Sequence, residues 1–217
     1  MFVQRSIFFG TPPTFDVTQA TRSFPPTDIV SADRAAVFLD KFKTVSSHLF
    51  PLFTEAELDQ MFQDLYPEEG RFTSSAQEMA LILAVLAIGA LSTDSTDLAE
   101  ILYEQAKTVA HPFTEAVTLS MIQLKILLAD YQVNMGRPNS AYLHLGDATR
   151  RAFAMGLNRE AGRTASDETV LQKRRSAMWC LYFHERYDFV LLRPINGADA
   201  YQVALVGHGK DKRIEVQ

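Results

Sequence analysis

Val117 to Gly156 reads VTLSMIQLKILLADYQVNMGRPNSAYLHLGDATRRAFAMG, and this stretch decides the fold. Val117, Met121, Leu124, Leu128 and Tyr131 recur at spacings of four and three, the period of one helix face. Ile122, Ile126 and Leu127 fill the neighbouring faces, so this helix is apolar nearly all round and belongs at the centre of a core. It stops at Met135-Gly136-Arg137-Pro138. Gly136 suits the left-handed C-terminal position, and Pro138 suits the first turn of a new helix. Ala141, Leu145, Ala148, Ala152 and Met155 then repeat the same spacing up to Gly156, with alanines small enough for close helix approach. Two helices joined by so short a loop pack antiparallel, which predicts a helical hairpin over 117–156.

Helical periods continue on both sides of the hairpin. Ser31 and Asp33 offer N-caps to a helix carrying Ala36, Leu39, Phe42, Val45 and Leu49, which Pro51 ends. Thr54 and Glu57 form a capping box ahead of Leu58, Met61, Phe62 and Leu65. Ser74 or Ser75 opens an apolar helix that runs through Leu91. Asp94 or Ser95 opens the next, with Leu98, Ile101, Leu102, Ala106 and Val109 on one side until Pro112. Downstream, the polar loop Glu160 to Asp167 leads into a last long helix, Glu168 to Leu192. No run of alternating hydrophobic residues marks a sheet, Val203 to Val206 being the one short candidate. The expected fold is all-α, a multi-helix bundle of antiparallel helical hairpins. Residues 1–30, with four prolines, read as a leader or linker, 31–195 as the helical domain and 196–217 as a flexible tail. A solenoid of helical pairs would show self-similarity at a fixed period, and none is present.

Composition agrees with a single packed domain. The chain has 217 residues, 47% of them hydrophobic, with one Trp, seven Tyr and fifteen Phe. A chain of this size buries enough surface to be stable without metals or disulfides, and its aromatic content is far from that of disordered sequences. The single cysteine, Cys180, allows no intramolecular disulfide and no cysteine-rich zinc module within this chain, and it fits a reducing compartment. A net charge of −5 argues against a free-standing nucleic-acid binder. Met79 to Leu91 is the most hydrophobic run. It falls short of the roughly 20 apolar residues of a bilayer span and is flanked by Glu78 and Asp94, so it reads as a core helix and no membrane contact is expected. Met1 to Gly10 lacks the continuous apolar stretch of a secretory signal.

Few residues suggest chemistry. His144 and Asp147 stand i, i+3, and Cys180 and His184 stand i, i+4. Each pair could offer two metal ligands but lacks a third and fourth, so they read as a helix-surface histidine and a core cysteine. Gly207-His208-Gly209-Lys210 superficially resembles a phosphate loop, but Asp211 stands where a hydroxyl is needed. No nucleophile elbow, zinc-protease helix or dinucleotide fingerprint is present. Glu185-Arg186, with Asp188, interrupt an otherwise apolar and aromatic stretch around Trp179, Leu181, Tyr182 and Phe183. Either Glu185 turns inward to pair with Arg150 or Arg151, or these charges mark a solvent face.

The same residues carry a family resemblance. Ala141, Tyr142, Leu145, Gly146, Ala148, Arg150, Ala152, Gly156, Leu157 and Arg159 match one motif in order. Arg174, Arg175, Trp179, Tyr182 and Arg186 match a second, which Arg193-Pro194 closes. With the apolar helix before them, these residues resemble the middle homology, or regulatory, region of fungal zinc-cluster transcription factors. Glu185 replaces the family's usual Asp, and Leu192 replaces the Gly before Arg193-Pro194. The resemblance implies an all-helical regulatory domain that modulates DNA-templated transcription through protein contacts, without catalysis, in the nucleus. Gly136, Tyr142, Gly146, Ala148, Arg150, Gly156, Leu157, Arg175, Trp179, Tyr182, Glu185, Arg186, Arg193 and Pro194 would be its structural and regulatory residues.

The family's six-cysteine zinc cluster and basic linker are not in these 217 residues. Zinc and DNA binding are therefore expected of a separate N-terminal module, and this chain itself is expected to hold no cofactor. The family's region also runs on beyond the Arg-Pro turn, so the chain reads as a fragment or as a standalone regulatory-domain homologue. With later helices missing, exposed apolar faces should drive self-association or contact with protein partners. The chain alone could also reside in the cytoplasm, and two rival readings stand at this level: a helical protein-interaction adaptor unrelated to transcription, and a biosynthetic enzyme with an interhelical pocket.

Overall fold

The computed structural model describes residues 29–47, 51–67, 75–158 and 168–192, with side chains of the last helix through His184. Among the described residues there are seven α-helices and no strand. They are α1 (Ala32–Lys41), α2 (Glu55–Leu65), α3 (Ala76–Leu91), α4 (Thr96–Ala110), α5 (Leu119–Asn134), α6 (Pro138–Ala154) and α7 (Glu168–Leu192). A π-helical turn, Phe42–Ser46, extends α1, and a 3₁₀ turn, His111–Phe113, follows α4. The all-α bundle expected from the sequence is the observed fold.

The helix starts follow local chemistry. Thr54 caps α2 through the Glu57 amide while Glu57 reaches back to the Thr54 amide at 2.7 Å. Ser75 and Glu78 repeat this arrangement at α3. Each box satisfies two amides that a helix end leaves without partners. α3 is buried from Ala80 through Ala90 and forms the hub, packed against α1, α2, α4 and α5. α5 is the second hub and touches α3, α4, α6 and α7.

The 117–156 hairpin is closed by two glycines. Gly136 has φ 68° and Gly156 has φ 71°, the left-handed region that a side chain disfavours. Arg137 N–H donates to the Gln132 carbonyl (2.8 Å) and Gly136 N–H to the Val133 carbonyl (2.9 Å). Leu157 N–H likewise donates to Ala152 (2.9 Å) and Gly156 N–H to Phe153 (3.0 Å). Both are Schellman closures, and at the second Leu157, half-buried against the core, supplies the apolar contact that accompanies such a closure. Pro138 occupies the first turn of α6, and Ala141, Leu145, Ala148 and Ala152 are its buried stripe.

Three expectations need correction. Ala36 and Val45 are exposed, and the stripe of the first helix is Ala35, Phe38, Leu39 and Phe42. The wider π turn rotates Val45 away from the core. In α4 the inward face is Ala99, Leu102, Tyr103, Ala106 and Ala110, with Glu100 and Gln105 buried beside it. Leu98, Ile101 and Val109 are only partly covered, because that face is set by polar partners on other helices as well as by apolar residues. Val117 is 46% exposed, lying before the first turn of α5. Leu49, the leader 1–28, the loop 159–167 and the tail lie outside the described residues.

Candidate functional site

A buried polar network ties α4, α5 and α6 together. Glu100 of α4 accepts hydrogen bonds from the Tyr131 hydroxyl (2.7 Å) and from Arg137 Nη1 (2.9 Å). Tyr103 stacks on Tyr131 with ring centroids 4.3 Å apart. The Tyr103 hydroxyl accepts from Gln132 Nε2 and lies 3.1 Å from His144 Nε2 on α6. Lys107 covers the outer side of this ring at 4.9 Å while pairing with Glu104. A buried carboxylate without partners would be very unfavourable, and here a phenol and a guanidinium satisfy it.

A second network ties the hairpin to the segment before it. Arg151 of α6 donates from Nε to Asp147 Oδ1 (2.9 Å) and from its two Nη atoms to the carbonyls of Ala116 and Thr114. Lys125 of α5 holds the other Asp147 oxygen at 3.1 Å. Burial alone would raise the Asp147 carboxyl, but the Arg151 and Lys125 hydrogen bonds and charges outweigh it and hold the group below its ordinary value.

The Tyr103 and Tyr131 phenols, the His144 imidazole and the Cys180 thiol are held in their neutral forms. Burial pushes the Tyr103 phenol up to about 12 and raises Tyr131 further, with the Glu100 carboxylate adding to it. Burial, then the charges of Lys125 and Lys107, push His144 down to about 4, with Asp147 opposing. The Cys180 thiol is pushed up to about 12 by burial. A thiol raised in this way is inert at neutral pH. His144 is therefore half-buried and bonded to Tyr103, correcting its reading as a helix-surface residue, whereas Cys180 is a core residue as expected. Among the described residues no group of three or more His, Cys, Asp or Glu is arranged to hold a metal ion. Nor is any helix there long and apolar enough to cross a membrane.

The motif residues divide between two places. Gly136, Ala148, Gly156 and Leu157 close and pack the hairpin. Tyr142, Gly146 and Arg150 instead run along the outer face of α6, at i, i+4 and i+8, and Tyr142 is 67% exposed. On α7 the core stripe is Ala177, Cys180, Leu181 and His184, which leaves Arg175, Trp179 and Tyr182 facing outward. Among the described residues every exposed aromatic ring, Tyr142, Phe153, Trp179 and Tyr182, lies on α6 or α7. Sequence reading passed over Leu143 and Phe153 of this surface, although the Ala141-Leu145-Ala148-Ala152 stripe already places Leu143 on the opposite face and Phe153 on the flank of the helix. It also passed over Glu100, Tyr103 and Gln132, whose partners lie on other helices.

The basic run at the start of α7 is engaged locally. Lys173 pairs with Glu57 (2.5 Å), Arg174 donates to the Met155 carbonyl (3.2 Å) and Arg175 pairs with Glu168 (3.2 Å). Arg150 is exposed and Arg151 already holds Asp147 and two carbonyls. The side chains of Glu185 and Arg186, on the last turns of α7, lie outside the described residues, as do Arg193 and Pro194, so the pairing considered for Glu185 does as well.

Comparison with known proteins places this arrangement in a family. One relative is an uncharacterized transcriptional regulatory protein of Schizosaccharomyces pombe, 20% identical over 171 residues that cover 76% of this chain and 22% of that protein. The chain thus spans about a fifth of the length of that relative. No solved structure matches it. The fungal specific transcription factor domain matches residues 39–203, which include both helices of the hairpin and the whole of α7. The chain belongs to the fungal specific transcription factor domain family, whose role is the regulation of transcription.

Proposed function

We propose that this chain is a regulatory module that modulates DNA-templated transcription through protein contacts on the outer faces of α6 and α7, without catalysis of its own. The observation that carries the reading is the outward placement of Tyr142, Trp179 and Tyr182, each more than half exposed. Rings exposed in this way add little to the stability of the monomer, whereas at interfaces aromatic residues dominate affinity. An exposed apolar patch rimmed by polar groups is the ordinary mark of a protein-binding surface. DNA and zinc binding are assigned to a separate zinc-cluster module, and the reading puts the whole regulator in the nucleus. The buried networks around Glu100 and Arg151 fit this reading, since each holds helices together.

The test is a reporter assay. The chain, fused between a heterologous DNA-binding domain and an activating segment, should change reporter output relative to the fusion without it. Trp179→Ala with Tyr182→Ala should abolish that change while helicity and thermal midpoint stay as in the parent. Unaltered reporter regulation by the folded double variant would overturn the assignment.

A further inference from the structure

Exposed charge is segregated by sign on this molecule. Among the described residues nine carboxylate side chains are exposed, and eight of them lie between Asp33 and Glu115, ahead of α5. Four cationic side chains are exposed there, and three of them, Arg150, Lys173 and Arg175, lie on α6 and α7, where Glu168 is the one exposed acid. The exposed aromatic rings fall on the same two helices. A chain of net charge −5 thus gathers its basic and its aromatic surface on one pair of helices.

On α7 this surface has a register. Gln172, Arg175, Trp179 and Tyr182 are all exposed and follow one another at intervals of three, four and three residues. That alternation is the seam along which a second helix can lie without drifting off. The core stripe of α7, Ala177, Cys180, Leu181 and His184, is on the other side, so the seam is not what packs α7 into the bundle. Trp179 stacks on Phe183 with ring centroids 5.4 Å apart, which widens the seam into an apolar platform. Arg175 stands one turn before Trp179. Its pair with Glu168 joins side chains 66% and 77% exposed, and an ion pair so open to water gives way readily to a better-placed carboxylate. The planar guanidinium fork matches a carboxylate.

We propose that the α7 seam docks an acidic amphipathic helix of a partner protein, with its apolar face on Trp179 and Tyr182 and a carboxylate on Arg175. This rests on reading the outward faces of α6 and α7 as protein-contact surfaces, and it names the chemistry of the occupant of the α7 part. Charge sets the sign of the partner, since a basic helix would meet three exposed cations and a single exposed acid on α6 and α7. A nucleic acid fits less well, because its affinity comes from cations matched to successive phosphates and the seam offers one cation to two rings. Three turns of helix make a small interface, below the ~800 Å² per partner of a standard one, so a dissociation constant on the order of tens of micromolar is expected.

Trp179 is the one tryptophan of the chain, so its fluorescence reports on this seam alone. The probe is a synthetic peptide of three heptads, with Leu at a and d, Glu at e and g and Ala elsewhere, whose like charges at e and g oppose its own pairing. Added to the full chain, it should shift Trp179 emission to the blue, with a dissociation constant on the order of tens of micromolar that rises at least about threefold between about 50 and 300 mM salt. The same peptide with Lys in place of Glu should bind at least about tenfold more weakly. Arg175→Glu should abolish that preference. Arg34→Glu, the same change of net charge on α1, should leave it intact, and circular dichroism should be unchanged in both variants. Absence of any shift with the acidic peptide up to about 500 μM would overturn the proposal. Equal affinity for the two peptides would do so as well, since the rings alone would then bind. Tighter binding of an oligodeoxythymidine of similar length would show that a nucleic acid is the occupant. In each of these cases reporter regulation lost with Trp179 and Tyr182 would leave the proposed function standing.

Discussion

The carbonyl oxygen of Phe38 packs against the α-carbon of Gly89 so closely that a Cβ there would stand 1.9 Å from it. The obstacle is backbone on both sides, since the Phe38 carbonyl carbon would lie at 2.7 Å, and no side chain can move aside. Gly89→Ala must therefore push α1 off α3, the hub of the bundle. The expected loss is about 3 kcal/mol or more, the upper range for overpacking, read as a lower urea midpoint. At Gly146 of α6 a Cβ would meet only the flexible guanidinium of Arg150, at 3.5 Å. Gly146→Ala should therefore raise stability by about 0.5–1 kcal/mol. Equal effects of the two substitutions would refute this account of the glycines.

Glu100 yields the second prediction. Its side chain is 9% exposed and its Arg137 partner 23%. Glu100→Ala leaves the guanidinium and the Tyr131 hydroxyl without their acceptor in a largely buried site. Removing one member of a buried pair typically costs 3–5 kcal/mol, and the partial exposure of Arg137 brings the expectation to about 2–4. Adding Arg137→Ala should recover part of that loss, giving a coupling energy above about 0.5 kcal/mol in a double-mutant cycle. Strict additivity of the two losses would mean that the pair contributes nothing.

What could be read from the sequence was local or periodic. The Thr54–Glu57 box, the left-handed Gly136, the helix end at Gly156 and Pro138 in the first turn of α6 are each decided within a few residues, and all stand as expected. The polar network was not legible, because Glu100 lies 31 residues from Tyr131 and 37 from Arg137, and periodicity carries no information about such pairings. The same network biases the face that α4 turns inward, which is why a stripe drawn through Leu98, Ile101 and Val109 missed it. Trp179 and Tyr182 sit in a run so apolar that it resembles core. Only the i, i+3, i+4, i+7 stripe from Ala177 to His184 separates their outward rings from it.

Acid should weaken the fold before its carboxylates titrate. Burial lowers both His144 and His184 to about 4, below the ordinary value near 6.5 that each regains on unfolding. The unfolded chain therefore binds more protons between those limits. Stability is full above pH 6.5 and declines as pH falls towards about 4. His144→Gln can still bond Tyr103 but does not titrate, so it should reduce the slope of unfolding free energy against pH in this window by about half. An unchanged slope would show that His144 titrates normally in the folded protein. From the acid end of this window downwards, loss of the Glu57 and Asp147 charges adds a further decline, because hydrogen bonds and charges from their partners outweigh burial and hold both carboxyls below the ordinary value.

Arg151 separates shape from charge. Its planar fork serves the Asp147 carboxylate and two carbonyls of the segment preceding α5 at once. Lysine keeps the charge, but its ammonium is a single point that cannot span three acceptors set around a guanidinium. Arg151→Lys should therefore recover only a small part of the roughly 3–5 kcal/mol expected for Arg151→Ala, because the Thr114 and Ala116 carbonyls lose their donors in both variants. Hydrogen exchange should report the same change locally, with faster exchange at the amides of the first turn of α5 than in Lys125→Ala, which removes only the second Asp147 contact. A lysine variant as stable as the parent would mean that charge at this position is sufficient and that the carbonyl contacts add nothing.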